Sequence, residues 1–205
     1  MNTREGHSAV DNPSVGIVPL VGILALQGCV TPHIEHFKKV GARCRSVRSE
    51  AELSDLDGLV LPGGESTTML RLLKVNKLFD PLREFVSKKP TWGICAGAIL
   101  LAEEVKNPEQ DSLRIVPIRA ERNFYGSQLD SFKAEIDISG IDHKVSVDFI
   151  RAPRILPLND SVTVLARHED AAVMVRFNNL LCSSFHTELG ADSSLHGLFV
   201  RECLV

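Results

Sequence analysis

The sequence predicts an α/β protein: one domain with a doubly wound, mixed but mainly parallel sheet and flanking helices. Two observations lead to this prediction. In the first half, short apolar runs alternate with segments of helical periodicity, which is typical of parallel strands covered on both faces. In the second half, short segments of alternating polarity indicate antiparallel strands that return to the main sheet.

The elements of the first half follow a βαβαβαβα order. LVGILAL predicts a strand, Thr31 is a candidate cap for a helix with Pro32 in its first turn, and ARCRSVRS predicts a second strand. DGLVLPGG predicts a third strand, ESTTMLRLLKVNKLF a helix capped by Ser66 or Thr67, and PLREFVSKK another helix. TWGIC then predicts a strand and AGAILLAEEV a helix.

The rest of the chain adds strands and one last helix. Strands are predicted in SLRIVPIRA, SQLDSFKAEIDI, HKVSVDFI, SVTVLARHE, AAVMVRFNN and LLCSSFH, and a helix in SSLHGLFVREC. We expect an N-terminal tail over residues 1–19 and one domain over 20–205. The apolar run after Arg4 also has features of a secretory or lipoprotein signal, but Pro19 and the acidic Glu5 and Asp11 favour a buried strand.

Composition excludes several classes of protein. Hydrophobic residues make up 44% of the chain and charged residues 24%, which is typical of a globular core. The net charge of −3 and the pI of about 6.2 argue against nucleic-acid binding, and no second apolar stretch is long enough for a membrane helix. The five cysteines are odd in number and lack C-x-x-C or zinc spacing, so we expect a reducing, cytoplasmic location and no metal.

The segment GICAG has the G-x-Nuc-x-G pattern of a nucleophile elbow, with Cys95 at the nucleophile position. Gly93 and Gly97 provide the space that a sharp strand-to-helix turn needs. The start of the following helix favours a thiolate, and the Ala96 N–H is a candidate oxyanion donor. The alternative is an ordinary buried cysteine at a tight junction, and the motif alone does not decide between them.

Two further segments supply partners for such a thiol. In SSFHTEL, His186 and Glu188 are two residues apart, so an extended chain places both side chains on the same side. Glu188 can then orient His186, and His186 can exchange a proton with the thiol. In LPGGEST, two glycines after a buried strand allow backbone N–H groups to face a ligand. Taken singly, the first segment is better explained by a surface histidine beside a solvated glutamate, and the second is only a weak signal, because a plain βα turn often contains glycine.

Other candidates are assigned structural roles. His33 and His36 are spaced i, i+3 on a predicted helix, but with no third ligand in view they predict a solvated face rather than a metal site. Cys182 is predicted to lie in the core.

PGGEST, GICAG and SFHTEL occur in the order that is found in the class I, or triad, glutamine amidotransferases, which the chain resembles from about residue 20 to its end. GILALQG at 22–28, LPGGESTTM at 61–69, ERNFYGSQLDSF at 121–132 and FIRAP at 149–153 are similar more specifically to the glutaminase subunits of pyridoxal 5′-phosphate synthase. This resemblance implies a flavodoxin-like fold.

The resemblance implies hydrolysis of L-glutamine to L-glutamate and ammonia, with no cofactor. The implied catalytic residues are Cys95, His186 and Glu188. The implied glutamine-binding residues are Gly64, Glu65, Ser66, Arg122, Ile150 and Arg151, and the backbone of Gly64 and Ala96 is implied as the oxyanion hole. The implied partner is a separate (β/α)₈-barrel synthase subunit, in a large hetero-oligomer, that uses the ammonia to make pyridoxal 5′-phosphate.

Other functions stay open from the sequence. One is a glutaminase that serves a different amination, such as imidazole glycerol phosphate synthesis. A second is a member of the elbow-cysteine peptidase and stress-protein superfamily, which lacks the late H-x-E. A third is a non-catalytic elbow-cysteine protein that only binds a partner. Thr187 departs from the family pattern, which has proline between the catalytic histidine and glutamate.

Overall fold

The computed structural model describes residues 18–122, 124 and 131–205. The strands in chain order are β1 Leu20–Leu24, β2 Arg43–Val47, β3 Gly58–Leu61, β4 Thr91–Ile94, β5 Ala102–Lys106, β6 Val116–Glu121, β7 Phe132–Ile136, β8 Val145–Phe149, β9 Arg154–Pro157, β10 Thr163–His168, β11 Ala171–Phe177 and β12 Leu180–Ser183. The α-helices are α1 Thr31–Lys39, α2 Ser66–Val75, α3 Phe79–Val86, α4 Ala96–Leu101 and α5 Ser194–Glu202, and a 3₁₀ helix spans Glu50–Leu53.

The central sheet has seven strands in the order β10-β11-β12-β4-β3-β1-β2. Its five strands from β12 to β2 are parallel, and β11 and β10 continue it in antiparallel pairing. Taken in chain order, the parallel strands have the 2-1-3-4-5 arrangement of flavodoxin-like folds, so the predicted fold class is confirmed. The small sheets β5-β6-β9 and β7-β8 lie outside the central sheet.

Side-chain alternation along the buried strands produces two cores, one on each face of the sheet. In β3, Leu59 and Leu61 join the core under α2, α3 and α4, whereas Val60 joins the opposite core with α1 and α5. Both faces are covered, which explains why these strands read as continuous apolar runs. Cys182 is fully buried in β12, as predicted. In the described part of the chain, no helix is long and apolar enough to cross a membrane.

Several boundaries differ from the predicted ones. The predicted helix AGAILLAEEV ends at Leu101, and the next five residues form β5, which pairs with β6. Strand β9 was not predicted. The predicted cap of α2, Ser66 or Thr67, is also wrong. Glu65 caps this helix, because its carboxylate accepts hydrogen bonds from the Thr67 and Thr68 N–H groups at 3.1 and 2.6 Å. Thr31 is the first residue of α1 rather than its cap.

Two predictions fall mainly outside the described residues. Of the predicted tail, residues 1–17 lie outside, while the Pro19 carbonyl accepts a hydrogen bond from the Arg43 N–H at 2.9 Å beside the sheet. Most of RNFYGSQ, at 123 and 125–128, also lies outside.

Close packing of α4 on the sheet depends on Gly97. A Cβ at this position would lie 2.0 Å from the Leu61 carbonyl oxygen, which is backbone and cannot move aside cheaply. We expect Gly97→Ala to lower the free energy of unfolding by about 3 kcal/mol, as overpacking of a tight interior does. Urea denaturation monitored by Trp92 fluorescence measures this.

Gly197→Ala in α5 is the matched control for this prediction. Its Cβ would meet only Val40 Cγ1, at an ordinary 3.7 Å. Because alanine is the better helix former, this substitution should raise the free energy of unfolding by about 0.5–1 kcal/mol. Equal effects of the two substitutions would show that the contact between Gly97 and Leu61 does not limit packing.

Candidate active site

The carboxyl ends of β1, β3, β4 and β12 lie side by side at one edge of the parallel sheet. Loops after these strands line a cavity of about 380 Å³. Open α/β sheets bind ligands at this edge, where the strand order reverses. The lining residues are Gln27, Gly28, Cys29, Gly63, Gly64, Glu65, Ser66, Cys95, Ile99, Arg122, Ile150, Arg151, His186, Glu188 and Leu189.

Cys95 occupies a strained turn between β4 and α4. Its φ of 48° and ψ of −99° lie in a region that side chains rarely adopt, and its N–H donates to the Ser183 carbonyl at 2.8 Å. Such strain persists only where the surrounding structure enforces it, and it is common at functional sites. The residue is 7% exposed and lines the cavity. The turn therefore presents the Cys95 thiol to the cavity.

His186 and Glu188 form a buried pair next to this thiol. The Nδ1 of His186 lies 2.7 Å from Oε1 of Glu188, and the imidazole is close enough to the Cys95 side chain for the two groups to interact. The backbone of His186 is fixed by two 2.8 Å hydrogen bonds with Asp148 in β8. This bridge keeps the segment extended, so both side chains lie on the same side of the chain, as the spacing predicts.

The electrostatics of the pair favour a charged histidine. Burial lowers the pKa of His186, but its interactions with Cys95 and Glu188 outweigh this effect and raise the pKa to about 10. Burial raises the pKa of Glu188, yet the hydrogen bond to His186 and the nearby histidines keep it below its ordinary value. The site therefore stabilises an imidazolium between a sulfur and a carboxylate.

The glycine turn after β3 faces this pair directly. A Cβ on Gly63 would lie 2.1 Å from His186 Cε1, and one on Gly64 would lie 2.4 Å from the Gln27 Oε1. The Gly63 carbonyl accepts a hydrogen bond from the Cys29 N–H at 3.1 Å. Only glycine allows the turn to approach the imidazole this closely.

Glu65 and Ser66, which follow the glycine turn, contact residues from other segments at the cavity. The Glu65 N–H donates to Gln27 Oε1 at 2.9 Å, and Arg122 Nη2 lies 3.3 Å from Glu65 Oε1. The Ser66 hydroxyl is buried and donates to Gln110 Oε1 at 2.8 Å. Glu65 thus serves as helix cap, ion-pair partner and cavity wall at once.

The structure brings every sequence-predicted site residue to the cavity except Ala96. Ile150 and Arg151 follow β8 and line it, and Arg151 has a positive φ of 47°. Ala96 opens α4 directly after Cys95 and is itself buried. Gln27 and Cys29 are among the lining residues that had no predicted site role. The signal that could have identified them is their position directly after a buried strand, at the edge where the other candidates lie.

The prediction of a solvated face for His33 and His36 is wrong. Both side chains are buried against α5, in contact with His196. In the described ranges no group of three or more histidine, cysteine or acidic residues has the geometry of a metal site.

Comparison with known proteins identifies the family. The model for the SNO glutamine amidotransferase family matches residues 23–205. The chain belongs to this family. It is 42% identical over 182 residues to the pyridoxal 5′-phosphate synthase subunit PdxT of Thermosipho africanus, covering 88% of this chain and 97% of the relative. It is 47% identical over 186 residues to the PdxT of Frankia alni, covering 89% and 94%.

A solved structure has the same fold. A crystal structure described as a glutamine amidotransferase is 40% identical, with a TM-score of 0.84, and the match covers 90% of this chain and 99% of that one. The class I glutamine amidotransferase fold is therefore shown by sequence and structure together.

Two buried histidines in this family member make stability depend on pH. Burial lowers the pKa of His33 to about 4, despite the nearby Glu188 charge, and lowers the pKa of His196 to about 2. An unfolded histidine has a pKa near 6.5, so the unfolded chain binds protons first as the pH falls. We expect the free energy of unfolding to fall as the pH drops below 6.5, by about 1.4 kcal/mol per pH unit for each of these two histidines. Above pH 6.5 the raised pKa of His186 acts in the opposite direction, so stability falls there as the pH rises.

Urea denaturation between pH 6.5 and 5 tests this expectation, because carboxylates titrate mainly below this window. His196→Phe is the control variant. It removes one titrating ring, so its slope against pH should be shallower by about 1.4 kcal/mol per unit. Identical slopes in both proteins would contradict the assignment of His196 as a neutral buried group.

Proposed function

We propose that this chain hydrolyses L-glutamine to L-glutamate and ammonia, with Cys95, His186 and Glu188 as its catalytic triad. The observation that supports this most directly is the strained Cys95 thiol beside the buried pair of His186 and Glu188, in one cavity. Membership of a glutamine amidotransferase family supports the choice of substrate.

The proposed reaction has two halves with His186 as proton carrier. The Cys95 thiolate attacks the side-chain amide carbon, and His186 gives its proton to the departing nitrogen, so ammonia leaves and a thioester remains. Neutral His186 then removes a proton from water, the hydroxide adds to the thioester, and glutamate leaves as the thiol is restored. Glu188 fixes the imidazole tautomer and stabilises the imidazolium in each half. One water is consumed for each ammonia released.

The remaining predicted residues have roles in binding. We propose that Arg122 holds the α-carboxylate of glutamine, because a guanidinium binds a carboxylate in bidentate fashion. The other proposed glutamine-binding residues are Gly64, Glu65, Ser66, Ile150 and Arg151, all of which line the cavity. The backbone N–H groups of Gly64 and Ala96 are the proposed oxyanion hole. No cofactor takes part.

The proposed fate of the ammonia is delivery to a synthase subunit. The relatives that cover most of this chain are named as subunits of pyridoxal 5′-phosphate synthase, which supports a (β/α)₈-barrel partner in a large hetero-oligomer. This favours vitamin B6 synthesis over another amination such as imidazole glycerol phosphate synthesis. The five free cysteines support a cytoplasmic location.

Substitutions in the triad test the proposed chemistry. Cys95→Ala should abolish glutamine hydrolysis without unfolding the chain, and His186→Ala should remove nearly all turnover because it removes the proton carrier. Glu188→Gln keeps a hydrogen-bonding group but loses the charge, so kcat should fall by roughly a hundredfold. Glutamate release in the presence of the partner barrel measures all three.

The control for this series is Cys182, which is fully buried in the core. A glutamine-mimicking electrophile should label Cys95 and leave Cys182 unmodified in the folded protein. Labelling of another cysteine with Cys95 untouched, or wild-type turnover in His186→Ala, would overturn the triad.

The glycine turn is the proposed point of control by the partner. Because it touches His186 and is held by the Cys29 N–H, a small shift at the turn moves an oxyanion donor relative to the thiol. We expect the free chain to turn over glutamine much more slowly than the complex, at saturating glutamine. Equal rates would show that the site is fully assembled without the partner. Cys95→Ala with the partner is the control for contaminating glutaminase.

A further inference from the structure

A cluster of three buried histidines lies behind Glu188, on the side away from the cavity. His33 and His36 come from α1 and His196 from α5, and each is at most 3% exposed. The His36 and His196 rings stack with centroids 4.5 Å apart, and the Trp92 ring packs edge-on against both His33 and His196. Buried imidazoles need hydrogen-bond partners, so their contacts are informative.

The contacts of this cluster converge on Glu188. His33 Nδ1 lies 2.9 Å from His196 Nε2, and His33 Nε2 lies 3.8 Å from Glu188 Oε1. His36 Nε2 lies 3.3 Å from the backbone carbonyl of the same glutamate. The histidines therefore contact both the carboxylate and the main chain of Glu188.

The hydrogen bond between His33 and His196 has two possible directions. If His33 Nδ1–H donated, the lone pair of its Nε2 would face the Glu188 carboxylate, which is repulsive. If His196 Nε2–H donates, His33 carries its proton on Nε2, and this N–H faces the carboxylate. The second arrangement also leaves a lone pair rather than a proton on His196 Nδ1, which has no hydrogen-bond partner in the described part of the chain.

His36 has a fixed tautomer for a similar reason. Its Nε2 lies against a carbonyl and must donate, so its Nδ1 accepts from the Ser193 hydroxyl at 2.8 Å. Four titratable groups lie near His33: Glu188, His186, His36 and His196. Of these, Glu188 alone is an anion, and it lies on the Nε2 side.

From these contacts we propose that His33 is a positioning residue for the catalytic triad. Neutral His33, with its tautomer fixed by His196, directs an N–H dipole at Glu188 and thereby keeps this carboxylate ionised and oriented towards His186. At 3.8 Å the contact is a charge–dipole interaction rather than a hydrogen bond. It is effective because all the groups are buried, where such interactions are poorly screened. This inference rests on the proposed glutaminase function. It adds two residues to the triad: His33, which positions Glu188, and His196, which fixes the tautomer of His33.

Glu188 has a clear need for this support. Its carboxylate is buried, and Oε2 has no hydrogen-bond partner among the described residues. His186 contacts Oε1 alone, so without His33 the buried charge would have one side-chain partner. Because a buried anion with few partners tends to take up a proton, the N–H of His33 acts against protonation of Glu188. A protonated Glu188 would no longer stabilise the His186 imidazolium.

The test compares His33→Phe, which keeps a ring but removes both nitrogens, with His33→Gln, which restores an N–H near the Nε2 position. In the complex with the partner barrel, we expect His33→Phe to lower kcat for glutamine about tenfold with KM unchanged, and His33→Gln to recover most of it. NMR titration of the His186 ring should show its midpoint lowered by about one pH unit in His33→Phe only. This readout does not require activity.

Phe37→Leu is the packing control, since Phe37 lies on the same helix, is equally buried and contacts His196 without a polar contact to Glu188. It should lower stability without moving the His186 midpoint. If His33→Phe leaves both kcat and the His186 midpoint at wild-type values, the proposal is wrong while the triad stands. If His33→Gln and Phe37→Leu change the midpoint as much as His33→Phe, the role of His33 is packing alone. If none of the triad variants loses activity, the proposed function itself is wrong.

Discussion

The buried hydrogen bond between Glu188 and His186 is the interaction on which the candidate active site depends. A carboxylate removed from water is stable only if it is paired and hydrogen-bonded, and here the partner is an imidazole whose pKa is raised in return. The pair is positioned by the main chain, because the bridge between His186 and Asp148 keeps the segment after β12 extended. The small β7-β8 sheet, which lies outside the parallel core, therefore helps to determine where the His186 side chain points.

The position of Cys95 depends on a different constraint, which is steric. Strand β4 and helix α4 approach closely because Gly93 and Gly97 carry no side chain, and a Cβ on either would meet backbone atoms. The resulting turn forces Cys95 into a positive φ, at a cost of order 1–3 kcal/mol that the surrounding packing must offset. The His186–Glu188 pair and the strained turn at Cys95 therefore lie side by side, at the carboxyl ends of neighbouring strands.

The sequence was informative where local sterics or local periodicity decide the structure. GICAG predicts the turn at Cys95, and the H-x-E spacing predicts that His186 and Glu188 share a side, since both follow from backbone geometry. Residues 102–105 were wrongly predicted to be helical because alanine and glutamate favour helix locally, whereas pairing with β6, more than ten residues away, makes them a strand. Burial of His33 and His36 was missed for the same kind of reason: only the packing of α5 on α1 covers them, and no pattern within α1 reveals its partner.

The two walls of the cavity differ in how easily they can move. Behind Glu188, three histidines, Trp92 and Phe37 fill the space between the sheet and two helices, so a displacement there would break ring contacts and buried hydrogen bonds together. In front, the Gly63–Gly64 turn is held by backbone and Gln27 contacts at the cavity surface. A partner that docks at the cavity can therefore adjust the front wall at low cost while the rear wall keeps the carboxylate in place. His186 lies between the two walls, with the Gly63–Gly64 turn on one side and the Glu188 carboxylate, backed by His33, on the other.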